Sequence, residues 1–163
     1  MKWVERTMFI YRCNVRTAWL DVNGHMNARP YFEVFSEAGD LACQDLGLGP
    51  SYLKDGYSLF TGDFHITYVR EIHAGGSLTV TTRVLDLDAR RFVLHQEMAD
   101  DRDGALAATA EQLQLNVGVA SRKVEPFRLE IFERIREVQL PSGVNPARNV
   151  GRVASLTSGA PAR

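Results

Sequence analysis

The chain has 163 residues, of which 45% are hydrophobic and 24% charged, and its formal net charge is −1. This length suits one domain with a substantial core, and the composition is typical of a soluble globular protein. A net charge near zero provides no basic field, so we expect neither nucleic acid nor a membrane as a partner.

The cysteines and the N-terminal residues bear on the compartment. No apolar run approaches the length of a membrane span, and residues 1–12 lack the apolar segment of a secretory signal. Cys13 and Cys43 form neither a disulfide framework nor a metal-ligand spacing, and His73 and His95 show no spacing that indicates zinc. We therefore expect a cytoplasmic protein without a metal site.

The first half of the chain predicts a strand, a polar loop and a long helix. The strand is expected over residues 8–16, the loop over 21–27 and the helix over 31–46. The predicted apolar face of the helix comprises Val34, Phe35, Ala38, Leu41 and Ala42, and the opposite polar stripe comprises Glu33, Glu37, Asp40 and Gln44. Asn27 is suited to cap this helix, and Gly47 or Gly49 to end it.

After Gly56 the pattern changes to the two-residue alternation of β-strands. Strands are expected over residues 60–68, 78–84 and 92–99, and a fourth runs from the Asp103-Gly104 turn to about Val119. A short helix is expected over residues 130–138. The single domain should span residues 1–139, and residues 140–163, rich in Pro, Gly, Ser and Arg, should form an irregular tail.

One long helix followed by a meander of antiparallel strands predicts an α+β fold in which the sheet wraps around the helix. The sheet covers the helix with one face only. Its other face or an edge then needs a partner, so we expect a homodimer or a homotetramer.

The loop at residues 21–27 places ionisable groups at the start of the predicted helix. Asp21 can attack an activated carbonyl or deprotonate an attacking water, while N–H groups after Asn27, such as that of Ala28, can stabilise the oxyanion. Gly24 permits close backbone approach or a positive φ. His25 can orient a water or Asp21, or only close the loop, and Asn27 can also hold a water. The same residue types are equally typical of turns and helix caps.

The pattern Asp-x-x-Gly-His-x-Asn, followed by a helix and four strands, resembles the hotdog-fold acyl-CoA thioesterases of the 4-hydroxybenzoyl-CoA thioesterase type. The resemblance covers about residues 9–127. It implies a hotdog fold and hydrolysis of a small acyl-CoA, with coenzyme A as part of the substrate and no further cofactor. It also implies that Asp21 is the catalytic carboxylate and that the backbone near Ala28 polarises the carbonyl.

Residues 19–26 are similar to the Trp-x-Asp-x-Asn-Gly-His-Met motif of betainyl-CoA thioesterases, which also occur fused to L-carnitine dehydrogenases. The similarity continues through residues 65–66, 70–71 and 108–112. It implies betainyl-CoA as a candidate substrate.

Glu111 is a candidate partner for the trimethylammonium group of such a substrate. It shares strand parity with Leu113 and Leu115, so it should point to the apolar side, where a carboxylate needs a partner. Aromatic faces that could assist are those of Trp19, Tyr31 and Tyr68. The structural alternatives are an ion pair with an arginine such as Arg70 or Arg83, or a strand whose buried part ends before Glu111.

Three further residues are candidates for substrate binding. His65 lies on the strand face of Asp63 and Thr67 and is either a secondary site residue or an ordinary polar strand histidine. Arg122 and Lys123 could bind coenzyme A phosphates, or form an exposed basic turn.

Two other functions compete with hydrolysis. Hotdog enoyl-CoA hydratases have a loop resembling Asp-x-Asn-Pro-x-His, but here the histidine comes one residue earlier and the proline is absent. The second alternative is a non-catalytic hotdog protein that binds acyl-CoA without turnover.

Overall fold

The computed structural model describes residues 8–141, Val144 and Gly151. Within this part of the chain, one five-stranded antiparallel sheet packs against a long helix. The strands are β1 (Phe9–Asn14), β2 (Tyr57–Tyr68), β3 (Ser77–Leu87), β4 (Arg91–Asp100) and β5 (Ala105–Gly118). The helices are α1 (Ala28–Asp45), α2 (Pro50–Lys54) and α3 (Leu129–Val138), preceded by a 3-10 turn at Thr17–Trp19.

The strand order is β1-β3-β4-β5-β2, with every pair antiparallel. The prediction of a meander holds for β3, β4 and β5 but is wrong for β2, which pairs with β5 at the far edge. The connection at residues 69–76 therefore passes the ends of two strands. Eight residues easily cover the three strand spacings, about 14 Å in total. The two-residue alternation identifies a strand but not its neighbour, which is why the sequence does not reveal this crossing.

Helix α1 buries the predicted side chains Val34, Phe35, Ala38 and Ala42, which are at most 2% exposed. Leu41 is 44% exposed, so its assignment to the apolar face is wrong. Successive helical residues are rotated by about 100°, and the buried stripe continues through Gly39 and Cys43 instead.

Buried side-chain amides fix α1 on the sheet. The Phe35 carbonyl oxygen accepts hydrogen bonds from Nε2 of Gln96 at 2.9 Å and from Nε2 of Gln112 at 3.1 Å. Gly39 allows this approach, because a Cβ added there would lie 2.9 Å from Gln112 Nε2. A satisfied buried network of this kind fixes position as well as contributing stability. It thereby fixes the N-terminus of α1 relative to the sheet.

The sheet has two different faces. Gln112 points to α1, so strand alternation directs its neighbours Glu111 and Leu113 to the opposite face, here called the outer face. A small apolar cluster of Val93, Leu113, Leu85 and Leu115 lies on the outer face.

The C-terminal helix is formed as predicted, with Ile131 and Ile135 buried. The predicted tail at residues 140–163 lies largely outside the described residues. Residues 1–7, part of the N-terminal segment that lacks the pattern of a secretory signal, also lie outside them. The described residues include no helix that is long and apolar enough to cross a membrane.

Candidate active site

The loop before α1 folds around the carboxylate of Asp21. Its Oδ1 accepts the backbone N–H of Asn23 at 2.8 Å and that of His25 at 3.0 Å. The Asp21 N–H in turn donates to the His25 carbonyl oxygen at 2.8 Å. Gly24 has the positive φ that the sequence suggests, +76°, and no protein atom lies within 4 Å of a Cβ added there. The loop therefore needs glycine for its backbone conformation rather than for space.

The same hydrogen bonds set the charge of Asp21. The N–H of His25, and secondly that of Asn23, lower the pKa of this carboxyl below its ordinary value. Hydrogen bonds to a carboxylate favour its ionised form. Asp21 is therefore a carboxylate at neutral pH, as both nucleophilic attack and general-base catalysis require.

Asn27 caps α1 as predicted, with an extended backbone and its Oδ1 accepting the Ala28 N–H at 3.3 Å. This bond is at the long end of the usual range and correspondingly weak. A carbonyl oxygen at the helix N-terminus could share or replace it. The Ala28 N–H, together with the positive end of the helix dipole, could then act as an oxyanion donor.

An open cavity of about 380 Å³ adjoins this helix N-terminus. It is lined by His25, Met26, Ala28, Tyr31, Tyr68, Val69, Arg70 and Glu71. The Tyr68 hydroxyl donates to the Ala28 carbonyl oxygen at 3.4 Å, and the rings of Tyr31 and Tyr68 meet edge to face at 5.1 Å. Asp21 does not line the cavity itself but is hydrogen-bonded to His25, which does.

The connection between β2 and β3 contributes two residues, Glu71 and His73, that local sequence patterns do not single out as site residues. Glu71 Oε2 lies 3.4 Å from His25 Nε2 and 4.0 Å from His73 Nε2. The ligand atoms of these three residues all lie within 4.8 Å of one another, so together they could hold a metal ion. Spacing along the chain does not reveal this group, because His25 joins the other two only through the fold. The similarity at residues 70–71 is the one sequence signal that could have pointed to Glu71.

The comparisons agree with this architecture. The family model of the thioesterase-like superfamily matches residues 15–135. The chain belongs to this superfamily. The helix against an antiparallel sheet is thus the hotdog arrangement that the sequence predicts.

Two thioesterase relatives define the similarity further. The betainyl-CoA thioesterase of Pseudomonas aeruginosa is 30% identical over 156 residues, covering 94% of this chain and 98% of that protein. The L-carnitine dehydrogenase/betainyl-CoA thioesterase of Rhizobium meliloti is 30% identical over 124 residues, covering 76% of this chain. The matched region makes up 25% of that longer protein.

Among solved structures, a hypothetical protein, SAV2348 from Staphylococcus aureus, in complex with CoA, has a TM-score of 0.77. It is 26% identical, and the match covers 87% of this chain and 96% of that one. The fold of that protein therefore extends over most of this chain.

Two predicted substrate residues, His65 and Glu111, lie on the outer face. Glu111 is buried as predicted, at 1% exposure, and it neighbours His65 and His95 across the sheet. Its Oε1 accepts the Gly151 N–H at 2.7 Å, while His65 Nε2 lies 3.4 Å from Thr67 Oγ1. The fold does not bring either residue to the cavity, because strand alternation turns both away from α1.

The arginines considered as partners of Glu111 are paired with other carboxylates. Arg70 Nη2 lies 2.6 Å from Asp103 Oδ2, and Arg83 Nη1 lies 2.9 Å from Glu97 Oε2. Neither ion pair involves Glu111.

Trp19 is placed in the core rather than in the cavity wall. It is 8% exposed, and the guanidinium of Arg16 lies 5.0 Å from its ring centroid. The structure therefore gives Trp19 a packing role.

Arg122 and Lys123 lie on an exposed turn beyond the end of β5. Tyr68 of the cavity pairs with Ala108, near the opposite end of that strand from Gly118. Ten residues of extended strand correspond to roughly 33 Å. Within one chain the basic pair is thus far from the cavity.

Proposed function

We propose that this chain hydrolyses the thioester of a small acyl-CoA and that Asp21 is its catalytic carboxylate. The observation that carries the proposal is a carboxylate held in its ionised form in the loop that leads directly into the N-terminus of α1. That helix N-terminus borders a cavity open to a substrate. A nucleophile or base and an oxyanion donor are the two elements that acyl transfer needs.

The proposed reaction begins with the carbonyl oxygen beside the Ala28 N–H. Asp21 attacks the carbonyl carbon, the C–S bond breaks, coenzyme A leaves as the thiolate, and water then hydrolyses the acyl-aspartyl anhydride to the free acid. In the alternative route, Asp21 takes a proton from a water that attacks the carbonyl directly. Both routes require an ionised Asp21, which the N–H groups of His25 and Asn23 favour by lowering the pKa of its carboxyl.

The names of two relatives suggest which acyl group the substrate carries. The relatives from Pseudomonas aeruginosa and Rhizobium meliloti are both named as betainyl-CoA thioesterases. Residues 19–26 carry the motif of the same subgroup. Betainyl-CoA is therefore the proposed substrate of this chain.

A homodimer is the proposed assembly. Strand β2 is an edge of the sheet, and its Phe60 is 55% exposed. An exposed edge strand presents unpaired backbone groups and invites pairing with a second copy. Because Tyr68 lines the cavity, a second chain on this edge would border the active site.

Light scattering tests this assembly and should give twice the mass of one chain. Phe60→Lys should lower the measured mass towards that of a monomer. A native chain that is monomeric would contradict the proposed homodimer.

A cytoplasmic location is part of the same proposal. Cys13 and Cys43 are free thiols, and burial raises the pKa of Cys43 to about 12, as expected for a packed and unreactive side chain. Free thiols persist in a reducing compartment.

The decisive experiment measures thiol release from a panel of betainyl-, short-chain and aromatic acyl-CoAs. The native chain should release thiol, and Asp21→Asn should lower kcat by about 10³-fold or more, because amide nitrogen and oxygen neither attack nor accept a proton well. Circular dichroism should show that the variant is folded. Asp55→Asn, at an exposed aspartate between α2 and β2, is the matched control and should retain activity.

Two results would contradict hydrolysis. Addition of water to an enoyl-CoA without thiol release would identify a hydratase. Binding of acyl-CoA with no turnover would leave only a binding protein.

A further inference from the structure

We infer that Tyr68, Tyr31 and Glu71 form the binding site for a trimethylammonium group on the acyl chain. This inference rests on the proposed hydrolysis of acyl-CoA. It assigns the selectivity for a cationic acyl group to the cavity beside α1.

The covalent structure of betainyl-CoA restricts where its cation can bind. One methylene group separates the ammonium nitrogen from the thioester carbonyl carbon. When the carbonyl oxygen is beside the Ala28 N–H, the cation must therefore lie within a few ångströms of the N-terminus of α1. The groups that recognise the cation must contact this helix end.

Tyr68 meets this requirement. Its hydroxyl is 3.4 Å from the Ala28 carbonyl oxygen, and its side chain is 52% exposed in the cavity wall. Tyr31 supports the ring edge to face at 5.1 Å and is itself 3% exposed. An exposed aromatic ring held by a buried aromatic side chain can offer its face to a quaternary ammonium ion.

Electrostatics explains why this site needs a carboxylate. The N-terminus of α1 carries partial positive charge, which stabilises an oxyanion but repels an ammonium ion. Glu71 lies in the same cavity wall, is 66% exposed and provides the opposing charge. The nearby guanidinium of Arg70 is paired with Asp103 at 2.6 Å. The groups beside the Glu71 carboxylate are the imidazoles of His25 and His73, at 3.4 and 4.0 Å.

Glu111, the carboxylate that the sequence suggests for this role, faces away from the helix. Its side chain is on the outer face and accepts the Gly151 N–H. A cation held there could not be one methylene from a carbonyl at Ala28.

The test compares betainyl-CoA with 3,3-dimethylbutyryl-CoA, in which a neutral carbon replaces the ammonium nitrogen at nearly the same shape. The native chain should prefer betainyl-CoA by about tenfold or more in kcat/KM. Glu71→Gln and Tyr68→Leu should each lower kcat/KM for betainyl-CoA by about tenfold, the scale of one cation–aromatic or screened ionic contact. Hydrolysis of the neutral analogue should change by less than about threefold.

Two further variants separate specific recognition from damage to the fold. Tyr68→Phe keeps the aromatic face and should keep the preference for betainyl-CoA. Glu130→Gln, at an exposed carboxylate at the start of α3, should leave kcat/KM for both thioesters unchanged.

Equal native turnover of the two thioesters would overturn this inference and leave the proposed hydrolysis standing. An equal loss of kcat/KM for both thioesters in Glu71→Gln and Tyr68→Leu would likewise overturn this inference without contradicting the proposed hydrolysis. Hydrolysis of short-chain or aromatic acyl-CoAs but of neither of these two thioesters would also overturn this inference alone. Thiol release from no member of the acyl-CoA panel would reject the proposed function, and this inference with it.

Discussion

Two adjacent residues of β5 show how differently the faces of the sheet are used. Gln112 faces α1 and donates to the Phe35 carbonyl oxygen, whereas Glu111 faces outward and accepts the Gly151 N–H. Both side chains are buried and polar. Only the face of Gln112 carries the helix whose N-terminus borders the cavity. Burial of a charged side chain therefore does not by itself identify a binding site; the residue must also reach the reacting group.

The largest effect expected on the helix side follows from replacing Ala28 by proline. Proline removes the N–H that would stabilise the oxyanion, yet it is tolerated at the first residue of a helix, and Asn27 already has the extended backbone that precedes proline well. We expect kcat for thiol release to fall by about 10²–10³-fold. Ala28→Gly, which retains the N–H, should lose far less. Full activity of the proline variant would place the oxyanion donor elsewhere.

The pH dependence tests the charge of Asp21. Because its folded-state pKa is lowered by the His25 and Asn23 N–H groups, the carboxylate stays ionised as pH falls through the ordinary aspartate range. Any stability it contributes is present above its unfolded pKa and lost as pH falls through the folded one. For an acyl-CoA with a neutral acyl group, the acid-side decline of kcat/KM should therefore begin below the ordinary aspartate pKa. At pH values below the folded-state pKa of Asp21, kcat/KM should fall about tenfold per pH unit. An acid limb at or above the ordinary value would argue against Asp21 as the essential base or nucleophile.

A substitution on the outer face should lower the stability of the fold rather than the hydrolytic activity. Glu111→Ala removes the acceptor of the Gly151 N–H and should lower the free energy of unfolding by about 1–3 kcal/mol. Chemical denaturation measures this loss, and Glu111→Gln, which keeps an acceptor oxygen, should lose less. The ratio of betainyl-CoA to 3,3-dimethylbutyryl-CoA turnover should not change. A selective loss of betainyl-CoA turnover would show that this face takes part in recognition.

The smallest effect is expected at the basic turn after β5. Arg122→Ala and Lys123→Ala should alter KM for acyl-CoA by less than about threefold, because both side chains are exposed and far from the cavity of their own chain. Steady-state kinetics at low and physiological salt would measure the change. A tenfold rise in KM would instead indicate that these residues hold the coenzyme A phosphates, as an assembly of two chains could allow.

Local patterns predicted the secondary structure well and the partners of the elements less well. The helix periodicity and the cap residue Asn27 located α1, and alternation located the long strands, because both are local properties of the backbone. The pairing of β2 with β5 was not predictable, since either edge satisfies the same alternation. The alternation of residues along β5 correctly indicated that Glu111 is buried. Alternation alone does not show whether a buried side chain lies on the sheet face that packs against α1 or on the outer face.

The sequence by itself determined the loop that holds Asp21, the helix that begins after Asn27 and the membership of a thioesterase-like superfamily, since these depend on residues close together in the chain. Only the tertiary structure brought Glu71 and His73 to His25, set Tyr68 against Ala28 and turned Glu111 away from them. These contacts arise from a crossing of strands and from the burial of α1 on one face. They depend on the sum of many weak long-range interactions rather than on any local pattern.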